Sequence, residues 1–288
     1  PMLNRRQRQM CIRDRVADER AVSDRLQAGT YAFTTDMDPA AVIEALVAGS
    51  DLVAGSTFTV VEGWTIDRIV DELSATTGHT VGEYQQALLN GSVTSPWIDG
   101  SADVALESWE GLLFPAKYPI DEAASPAAIL QPMADEMVTR VGQVDWSPIE
   151  AAGYSQYDAL IVASLVQREA GTDDERSTIA SVIYNRLDQD IRLQIDATVI
   201  YALGYNPGRV LASHLETDSP YNTYRIDGLP PTPIGTVGVA SLEAAADPAE
   251  TEYLFYVLGF PDGAHLFAET YEGHQANIAD ARARGVLP

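Results

Sequence analysis

In the second half of the chain, apolar residues recur three and four positions apart, which is the spacing of an amphipathic helix. This pattern predicts a helix over residues 157–170 that ends at Gly171. A second helix is predicted to begin at Thr172, because Glu175 follows three residues later and completes a capping-box pattern. The apolar stripe of this second helix consists of Ile179, Val182, Ile183 and Leu187.

Shorter elements are predicted after these two helices. Residues 192–195 are predicted to be extended, and Asp196 is predicted to cap a short helix that Gly204 ends. A loop rich in proline and tyrosine occupies residues 219–233. The remaining pattern predicts a helix over residues 240–246, strands over 253–258 and 264–267, and a terminal helix over 271–284.

The first half of the chain alternates more rapidly between strand and helix periods. Strands are predicted over residues 30–33 and 57–61, and helices over 38–48, from Thr65 onward, over 81–89 and over 126–141. Residues 91–125 are rich in Ser, Gly, Pro and Asp, which is typical of a connection. Within this connection, residues 110–115 contain three large apolar side chains, so we expect that piece to pack against other parts of the protein.

These elements together predict an α+β fold in two unequal parts. Residues 26–90 are predicted to form a small α+β module, and residues 91–288 a larger α+β domain that includes the connection. Residues 1–25 are left out of the fold, because the first fifteen residues carry five arginines and one aspartate. This basic arm resembles both a juxtamembrane stub and a translated sequencing adaptor, and we favour the adaptor.

The charge of the chain excludes several function classes. Among 288 residues there are 42 acidic and 18 basic ones, which gives a formal net charge of −24. A nucleic-acid-binding protein needs a basic surface, and an anionic membrane surface would repel this chain. Lys117 is the single lysine. An acidic, lysine-poor surface is typical of adaptation to high salt and equally of a GC-rich genome, and both interpretations remain open.

Residue types and spacings exclude other chemistries. Cys11 is the single cysteine, and the four histidines are scattered, so neither a disulfide framework nor a metal site is expected. The sequence contains no G-x-S-x-G elbow, no S-x-x-K and no P-loop. No apolar run approaches the ~18 residues of a membrane-spanning helix. We therefore expect neither a metal nor another cofactor.

Glu169 is the strongest candidate for chemistry. It lies three, four and seven positions after apolar residues of its own helix, so it is predicted to lie on the apolar face. It also lies in the last turn, near the negative end of the helix dipole. Burial and the dipole should both raise its pKa above the ordinary value of about 4.3, as a general acid requires. The alternative is a glutamate at a helix edge that is either solvated or paired with Arg176 or Arg186.

The other polar residues are candidates for a functional role only if they lie near Glu169. Asp196 is a second carboxylate, for which N-capping is the simpler role. The segment Tyr221-Asn222-Thr223-Tyr224 combines aromatic rings with amide and hydroxyl groups, which suits a sugar and is equally typical of turns and interfaces. Capping or other structural roles are expected for Glu175, Asn185 and Arg186.

The most specific signal is a series of ordered sequence blocks. The central ones are ASLVQRE at residues 163–169, IASVIYNRL at 179–187 and LQIDATVIY at 193–201. Further blocks are YNTY at 221–224, GLPPTPI at 228–234, HLF at 265–267, VEGWT at 61–65 and EGLLFP at 110–115. Together they resemble the endolytic murein transglycosylases, the MltG or YceG-like family, over residues 28–285.

This resemblance implies a fold and an activity. The N-terminal module would be a LysM-like peptidoglycan-binding module, and the remainder an α+β catalytic domain of the YceG-like type. The enzyme, a carbon–oxygen lyase without a cofactor, would cleave the bond between N-acetylmuramic acid and N-acetylglucosamine in nascent glycan strands. Cleavage would leave a 1,6-anhydro end. Glu169 matches the catalytic acid and would later act as the base.

The resemblance also implies the surroundings of the site and of the protein. Substrate would be bound by Gln194, Asp196, Tyr221, Asn222, Thr223 and Tyr224, with orienting or structural roles for Glu175, Asn185, Arg186 and His265. Members of the family usually have a single N-terminal membrane anchor and a body outside the cytoplasm. Peptidoglycan strands are the expected partner, cell-wall synthases are candidate partners, and the expected location is the outer face of the bacterial plasma membrane.

Some positions depart from the family pattern, and two rival functions remain open. Gln167 stands where an acid is usual, Ala197 where a proline is usual, and Ala116 and Lys117 where an acid and a threonine are usual. One rival is a muramidase that uses Asp196 as a second carboxylate. The other is a non-catalytic peptidoglycan-binding scaffold of the cell-wall synthesis machinery.

Overall fold

A computed structural model of the chain describes residues 38–48, 57–98 and 104–287. The chain forms two compact units, residues 1–56 and residues 57–288. Within the first unit the structure describes helix α1, Pro39–Ala48, which confirms the helix predicted there. The strand predicted over residues 30–33 and the basic arm lie outside the described residues.

In residues 57–98 and 104–287, the second unit is a mixed assembly of helices with two small sheets. Its strands and α-helices are β1 (Thr57–Thr59), α2 (Ile66–Thr76), α3 (Val81–Leu89), β2 (Lys117–Pro119), α4 (Pro126–Val141), α5 (Ser147–Ala151), α6 (Gln156–Glu169), α7 (Arg176–Asp188), α8 (Asp196–Leu203), α9 (Val239–Ala246), β3 (Phe255–Leu258), β4 (His265–Ala268) and α10 (Tyr271–Ala283). Short 3₁₀ helices occupy Leu106–Trp109, Asp173–Glu175 and His214–Glu216. The α+β class expected from the sequence is confirmed at this level.

Each sheet is an antiparallel pair of strands. In the first sheet β1 pairs with β2, with Phe58 opposite Tyr118. In the second sheet β3 pairs with β4, with Tyr256 opposite Phe267. The pairing of β1 with β2 joins residues on both sides of the predicted domain boundary after residue 90, and both strands belong to the unit that begins at Thr57. The LysM-like character of residues 26–90 stays a prediction.

Helix α6 is the centre of the core. Ser155 caps it, and Ser155 and Asp158 form a reciprocal capping box. All residues from Ala159 to Val166 are buried, and the helix packs against α7 and α9. A helix that is apolar on all sides is stable only inside a core, and burial of one Leu or Val side chain contributes about 1.5–3 kcal/mol. The catalytic candidate therefore stands at the end of a helix whose middle is fully buried.

The apolar piece of the predicted connection packs as expected. Leu112, Leu113 and Phe114 are buried, and Glu110 beside them is only 2% exposed. Gly111 makes this possible, because it has a left-handed φ of 72° and a Cβ atom there would lie 2.6 Å from the Cβ atom of Pro233. The segment joins the core instead of crossing the surface.

Two local predictions need correction. Asp196 does not cap helix α8; it is the first helical residue, and Ile195 occupies the N-cap position without a side-chain cap. Residues 192–195 are not extended throughout, because Gln194 adopts a left-handed φ of 51°. The predicted end at Gly204 is confirmed, with φ of 71°.

Candidate active site

Glu169 lies where three elements meet. It is the last residue of α6, and its side chain is half-buried. Its Oε1 accepts the backbone N–H of Ala197 in the first turn of α8 at 3.4 Å, and its Oε2 accepts the hydroxyl of Tyr256 on β3 at 3.1 Å. Helix α8 and the β3–β4 hairpin thus hold one carboxyl from two sides.

The surroundings of Glu169 raise the pKa of its carboxyl. Burial raises the pKa of Glu169, and the charge of Asp196 adds to this. The hydrogen bonds from Tyr256 and Ala197 and the nearby His265 oppose the rise without cancelling it. The direction agrees with the sequence-based expectation, and a raised pKa is what a carboxyl that acts as a general acid needs.

The alternative of a glutamate paired with arginine finds no support in the contacts. Arg176 pairs with Asp173 at 2.9 Å and donates to Ser241 at 2.8 Å. Arg186 donates to the backbone carbonyl of Leu254 at 2.6 Å and to those of residues 192 and 193. Both guanidinium groups are therefore engaged with atoms other than the carboxyl of Glu169.

Asp196 supplies a second carboxylate at the same place. It precedes Ala197, whose N–H binds Glu169, and its side chain is exposed. The hydroxyl of Tyr224 donates to Oδ1 of Asp196 at 2.6 Å. Burial raises the pKa of Tyr224, so this hydroxyl remains a donor. A negative charge is thus held in a fixed position beside Glu169.

Behind Glu169, Glu175 and His265 connect the end of α6 to strand β4. The two oxygens of Glu175 accept the backbone N–H and ring Nδ1 of His265, both at 2.9 Å, and the N–H of Gly171 at 2.9 Å. Burial alone would raise the pKa of Glu175, but these hydrogen bonds outweigh it and hold the pKa below its ordinary value. The His265 ring packs edge-on against Tyr256, with ring centroids 5.3 Å apart.

The same junction contains a direct contact between two backbones. A Cβ atom on Gly171 would overlap the carbonyl oxygen of Gly263, which lies in the turn between β3 and β4. Gly171 follows the end of α6 by two positions. The absence of a side chain therefore lets the hairpin that carries Tyr256 approach the helix that carries Glu169.

Asn222 and Thr223 have their polar side-chain atoms turned inward. Asn222 is buried and donates to the carbonyls of Leu215 and Thr217 at 2.9 and 2.8 Å. Thr223 is buried, and its hydroxyl accepts the N–H of Ile195 at 2.9 Å. Both residues fix the backbone that leads into α8, so the contacts indicate a positioning role for them.

Gln194 and Tyr221 lie on different sides of this segment. The Gln194 side chain is exposed, and its backbone N–H donates to the carbonyl of Thr223 at 3.1 Å. Tyr221 is buried, with its hydroxyl 2.8 Å from that of Thr232. Of the residues expected to bind substrate, Asp196 and Tyr224 are therefore brought together beside Glu169, and Gln194 is accessible to solvent.

Asn185 and Arg186 support the hairpin. Asn185 donates to the carbonyls of Thr251 and Tyr253 at 2.7 and 3.0 Å, while Arg186 binds the carbonyl of Leu254. Both side chains hold the residues that enter β3, so their contacts agree with the expected structural role.

Sequence reasoning missed Tyr256 and the role of Gln167. Tyr256 lies in a predicted strand, but nothing local distinguishes it from other aromatic residues of the chain. Gln167 donates to Oε2 of Glu62 at 3.0 Å and accepts from the N–H of Gly238 and the hydroxyl of Ser241 at 3.1 and 2.8 Å. An ionised acid at position 167 has no proton to donate to Glu62, so the glutamine is matched to these partners.

A second buried carboxyl, that of Glu110, also contacts helix α8. Both oxygens of Glu110 accept the N–H of Ile66, the first residue of α2, at 3.1 Å, and Oε1 also accepts the hydroxyl of Tyr201 at 3.1 Å. Burial raises the pKa of Glu110 to about 8, against the effect of these hydrogen bonds. Glu110 contributes to the lining of a cavity of about 830 Å³.

Neither a metal centre nor a membrane span is found in the part of the chain that the structure describes. Within residues 38–48, 57–98 and 104–287, no group of three His, Cys, Asp or Glu side chains has a geometry suited to a metal ion. Within the same residues, no helix combines the length and apolar character needed to cross a bilayer.

Comparison with known proteins gives a consistent result. The model of the YceG-like family matches residues 4–280. An endolytic murein transglycosylase of Bacillus subtilis (strain 168) is 33% identical over 260 residues, which cover 86% of this chain and 71% of the relative. An endolytic murein transglycosylase of Streptococcus pneumoniae (strain R6) is 29% identical over 252 residues, which cover 78% of this chain. This chain spans 44% of the length of that pneumococcal relative.

A solved structure supports the assignment. The 2.6 Å crystal structure of a yceG-like protein from Listeria monocytogenes is 27% identical in sequence, with a TM-score of 0.65. The superposition covers 92% of this chain and 89% of the Listeria chain. Since the family model covers nearly the whole sequence and the fold agrees, the chain belongs to the YceG-like family.

Proposed function

We propose that this protein is a murein transglycosylase that cleaves peptidoglycan glycan strands internally, with Glu169 as its single acid and base. The observation that carries the proposal is the environment of Glu169. Its carboxyl is half-buried, has a raised pKa, and is held by the N–H of Ala197 and the hydroxyl of Tyr256. The relatives named as endolytic murein transglycosylases supply the substrate class.

The proposed reaction transfers one proton in each direction. Protonated Glu169 gives its proton to the glycosidic oxygen between N-acetylmuramic acid and N-acetylglucosamine, and the bond from that oxygen to C1 breaks. The resulting carboxylate takes the proton of the 6-hydroxyl of the same muramic residue, whose oxygen forms the new bond to C1. The product has a 1,6-anhydro end, no water is consumed, and Glu169 is protonated again.

The geometry suits such an intramolecular reaction. A nucleophile on the same sugar ring has a high effective concentration, so no water molecule has to be positioned. Positive charge develops at C1 during bond cleavage. The carboxylate of Asp196, which Tyr224 holds in place, has the opposite charge and would stabilise it. Tyr224 positions Asp196, and the Glu175–His265 pair positions the hairpin that holds Tyr256.

One experiment separates this reaction from hydrolysis. Purified glycan strands are digested with the protein, and the products are analysed by mass spectrometry. Anhydro ends are lighter by one water molecule than the ends left by a muramidase. The exposed carboxylate of Asp196 beside Glu169 is the observation that keeps the muramidase as a second candidate. Hydrated ends would favour that candidate, and absence of any cleavage would favour the non-catalytic scaffold.

The resemblance extends the proposal to the rest of the protein. We propose that residues 26–90 contribute to binding of the glycan strand, as a LysM-like module would. We also propose that the protein acts at the outer face of the plasma membrane, held by an anchor in the full-length protein and near cell-wall synthases. Fractionation of cells that express the full-length protein tests the location.

A further inference from the structure

Helices α6 and α8, which carry and contact the proposed acid, also line the cavity that Glu110 borders. Ala197 contacts Glu169, and Tyr201, four residues later on the same face of α8, lines the cavity. One turn of helix corresponds to about 5.4 Å. Arg168, which directly precedes Glu169, lines the cavity as well. The cavity and the proposed acid therefore share helices α6 and α8.

The walls of the cavity combine aromatic rings with hydrogen-bonding groups. Trp64, Tyr201, Tyr205 and Tyr221 contribute rings, and Tyr205 is 58% exposed. Polar groups are contributed by Thr65, Asn206 and Ser219. Rings that offer a flat apolar face, together with a few oriented polar groups, suit a ligand that has apolar faces and polar edges. A sugar ring is such a ligand.

The charges in the cavity favour a neutral ligand over an anionic one. Two cations, Arg68 and Arg168, are balanced by the acidic side chains Asp67 and Glu107, and Glu110, whose pKa is raised to about 8, adds little charge at neutral pH. Arg68 also pairs with Glu72 outside the cavity at 2.9 Å and lies 5.1 Å over the ring of Trp64. Because these charges nearly cancel, the cavity offers little electrostatic attraction to the carboxylates of a peptide stem.

We propose that the cavity is a subsite for a neutral sugar residue of the glycan strand, away from the bond that is cleaved. This inference rests on the proposed function, since it names where a long strand continues beyond Glu169. An enzyme that cuts inside a strand has sugar residues on both sides of the scissile bond, and the cavity offers one side a binding surface. Tyr205 supplies its most accessible ring.

Binding to an inactive variant tests the subsite. The Glu169→Gln protein is titrated with peptide-free glycan oligosaccharides of defined length, with and without Tyr205→Ala. We expect Tyr205→Ala to weaken binding of long oligosaccharides about tenfold, which corresponds to about 1.4 kcal/mol, and to leave disaccharide binding unchanged. Tyr205→Phe keeps the ring and should restore the affinity for long oligosaccharides.

Tyr271→Ala in the same inactive background is the matched control, because Tyr271 is 65% exposed and does not line the cavity. It should leave all affinities unchanged, with melting curves as the test of folding. Unchanged affinity in Tyr205→Ala, or an equal loss for disaccharides and long oligosaccharides, would overturn the subsite. Competition by free stem peptides that depends on Tyr205 would also overturn it, since the occupant would then be the peptide.

The subsite and the proposed function fail separately. If the wild-type protein cleaves strands but Tyr205→Ala binds them normally, the subsite fails alone. If the wild-type protein cleaves nothing while binding of long oligosaccharides depends on Tyr205, the transglycosylase proposal fails and the binding site stands.

Discussion

Glu169 and Glu110 have the same kinds of hydrogen-bond donors but different access to solvent. Each carboxyl accepts a backbone N–H from the start of a helix, α8 for Glu169 and α2 for Glu110. Each also accepts a tyrosine hydroxyl at 3.1 Å, from Tyr256 and Tyr201 respectively. Burial raises the pKa of both groups. By local chemistry alone the two glutamates are nearly equivalent.

The surroundings separate their roles. Glu110 is 2% exposed, whereas Glu169 is half-buried and stands beside the exposed Asp196. Glu169 is therefore the more exposed of the two residues, while the carboxyl of Glu110 is held in the wall of the cavity by the N–H of Ile66 and the hydroxyl of Tyr201. A raised pKa is thus insufficient to identify a general acid, because the group must also be reachable.

The largest expected effect in this comparison is that of Glu169→Gln. Glutamine has nearly the same size as glutamate but has no proton to give to a leaving oxygen. General acid catalysis contributes about 10²–10⁴-fold, and because one residue serves both steps we expect a loss at or above the upper end. Folding should be retained or slightly improved, since a buried ionisable group is removed. The rate of anhydro-product formation and the melting temperature measure the two effects.

Glu110→Gln and Asp196→Asn are the comparison variants for this experiment. Glu110→Gln should retain catalysis at Glu169, and Asp196→Asn should reduce the rate less than Glu169→Gln because its effect is electrostatic. A folded Glu169→Gln protein with normal turnover contradicts the mechanism. Near-total loss only in Asp196→Asn would transfer the role of acid to Asp196.

Glu110 should instead be visible in the pH dependence of stability. Its folded-state pKa of about 8 lies above the ordinary value, so between pH 5 and 8 the folded protein holds a proton that the unfolded chain loses. The free energy of unfolding therefore falls as pH rises, by up to about 1.4 kcal/mol per pH unit. Glu110→Gln should flatten the profile measured by urea denaturation. Parallel profiles for the variant and the wild type would show that Glu110 is already ionised.

Glu175→Gln should weaken the junction behind Glu169. The pKa of Glu175 is lowered in the folded state, so its contribution is present above the ordinary pKa and is lost as pH falls through the folded value. Hydrogen bonds to a charged group contribute about 1.5–3 kcal/mol, and we expect a loss of that size at neutral pH. Denaturation at neutral and acidic pH measures it, and a loss that persists unchanged in acid would contradict the assignment to an ionised Glu175.

The smallest effect is expected for Tyr256→Phe. The hydroxyl of Tyr256 lowers the pKa of Glu169, so its removal should raise that pKa and shift the high-pH limb of the pH–rate profile to higher pH. Loss of one hydrogen bond corresponds to about 0.5–1.5 kcal/mol, or a few-fold in rate. Tyr201→Phe removes the equivalent donor from Glu110 and should leave that limb in place. A shift of the limb in Tyr201→Phe, or none in Tyr256→Phe, would show that the two carboxyls are assigned incorrectly.

The sequence predicted what depends on neighbouring residues. The helix that carries Glu169 was predicted to within one residue at each end, because its apolar positions, its cap and Gly171 are all local signals. The burial of Glu169 followed from the same spacing. The capping box of Thr172 and Glu175 is confirmed for the same reason, but it heads the 3₁₀ helix Asp173–Glu175, and α7 begins only at Arg176.

The remaining contacts depend on distant parts of the chain. The hydroxyl of Tyr256 reaches Glu169 across 87 positions, and Gln167 reaches Glu62 across 105. The predicted cap at Asp196 is wrong because Asp196 is already the first helical residue, and the first-turn N–H of Ala197 donates to Glu169, 28 positions away. A pattern along one segment carries no information about which remote side chain arrives beside it.

The backbone contact between Gly171 and Gly263 sets a limit for protein engineering. At most positions near Glu169, a substitution can change the size or the charge of the side chain. At Gly171 even the methyl group of alanine would overlap the carbonyl oxygen of Gly263. Libraries that vary the site for new sugar substrates should therefore keep both glycines and place their diversity around Gln194, Asp196 and Tyr224.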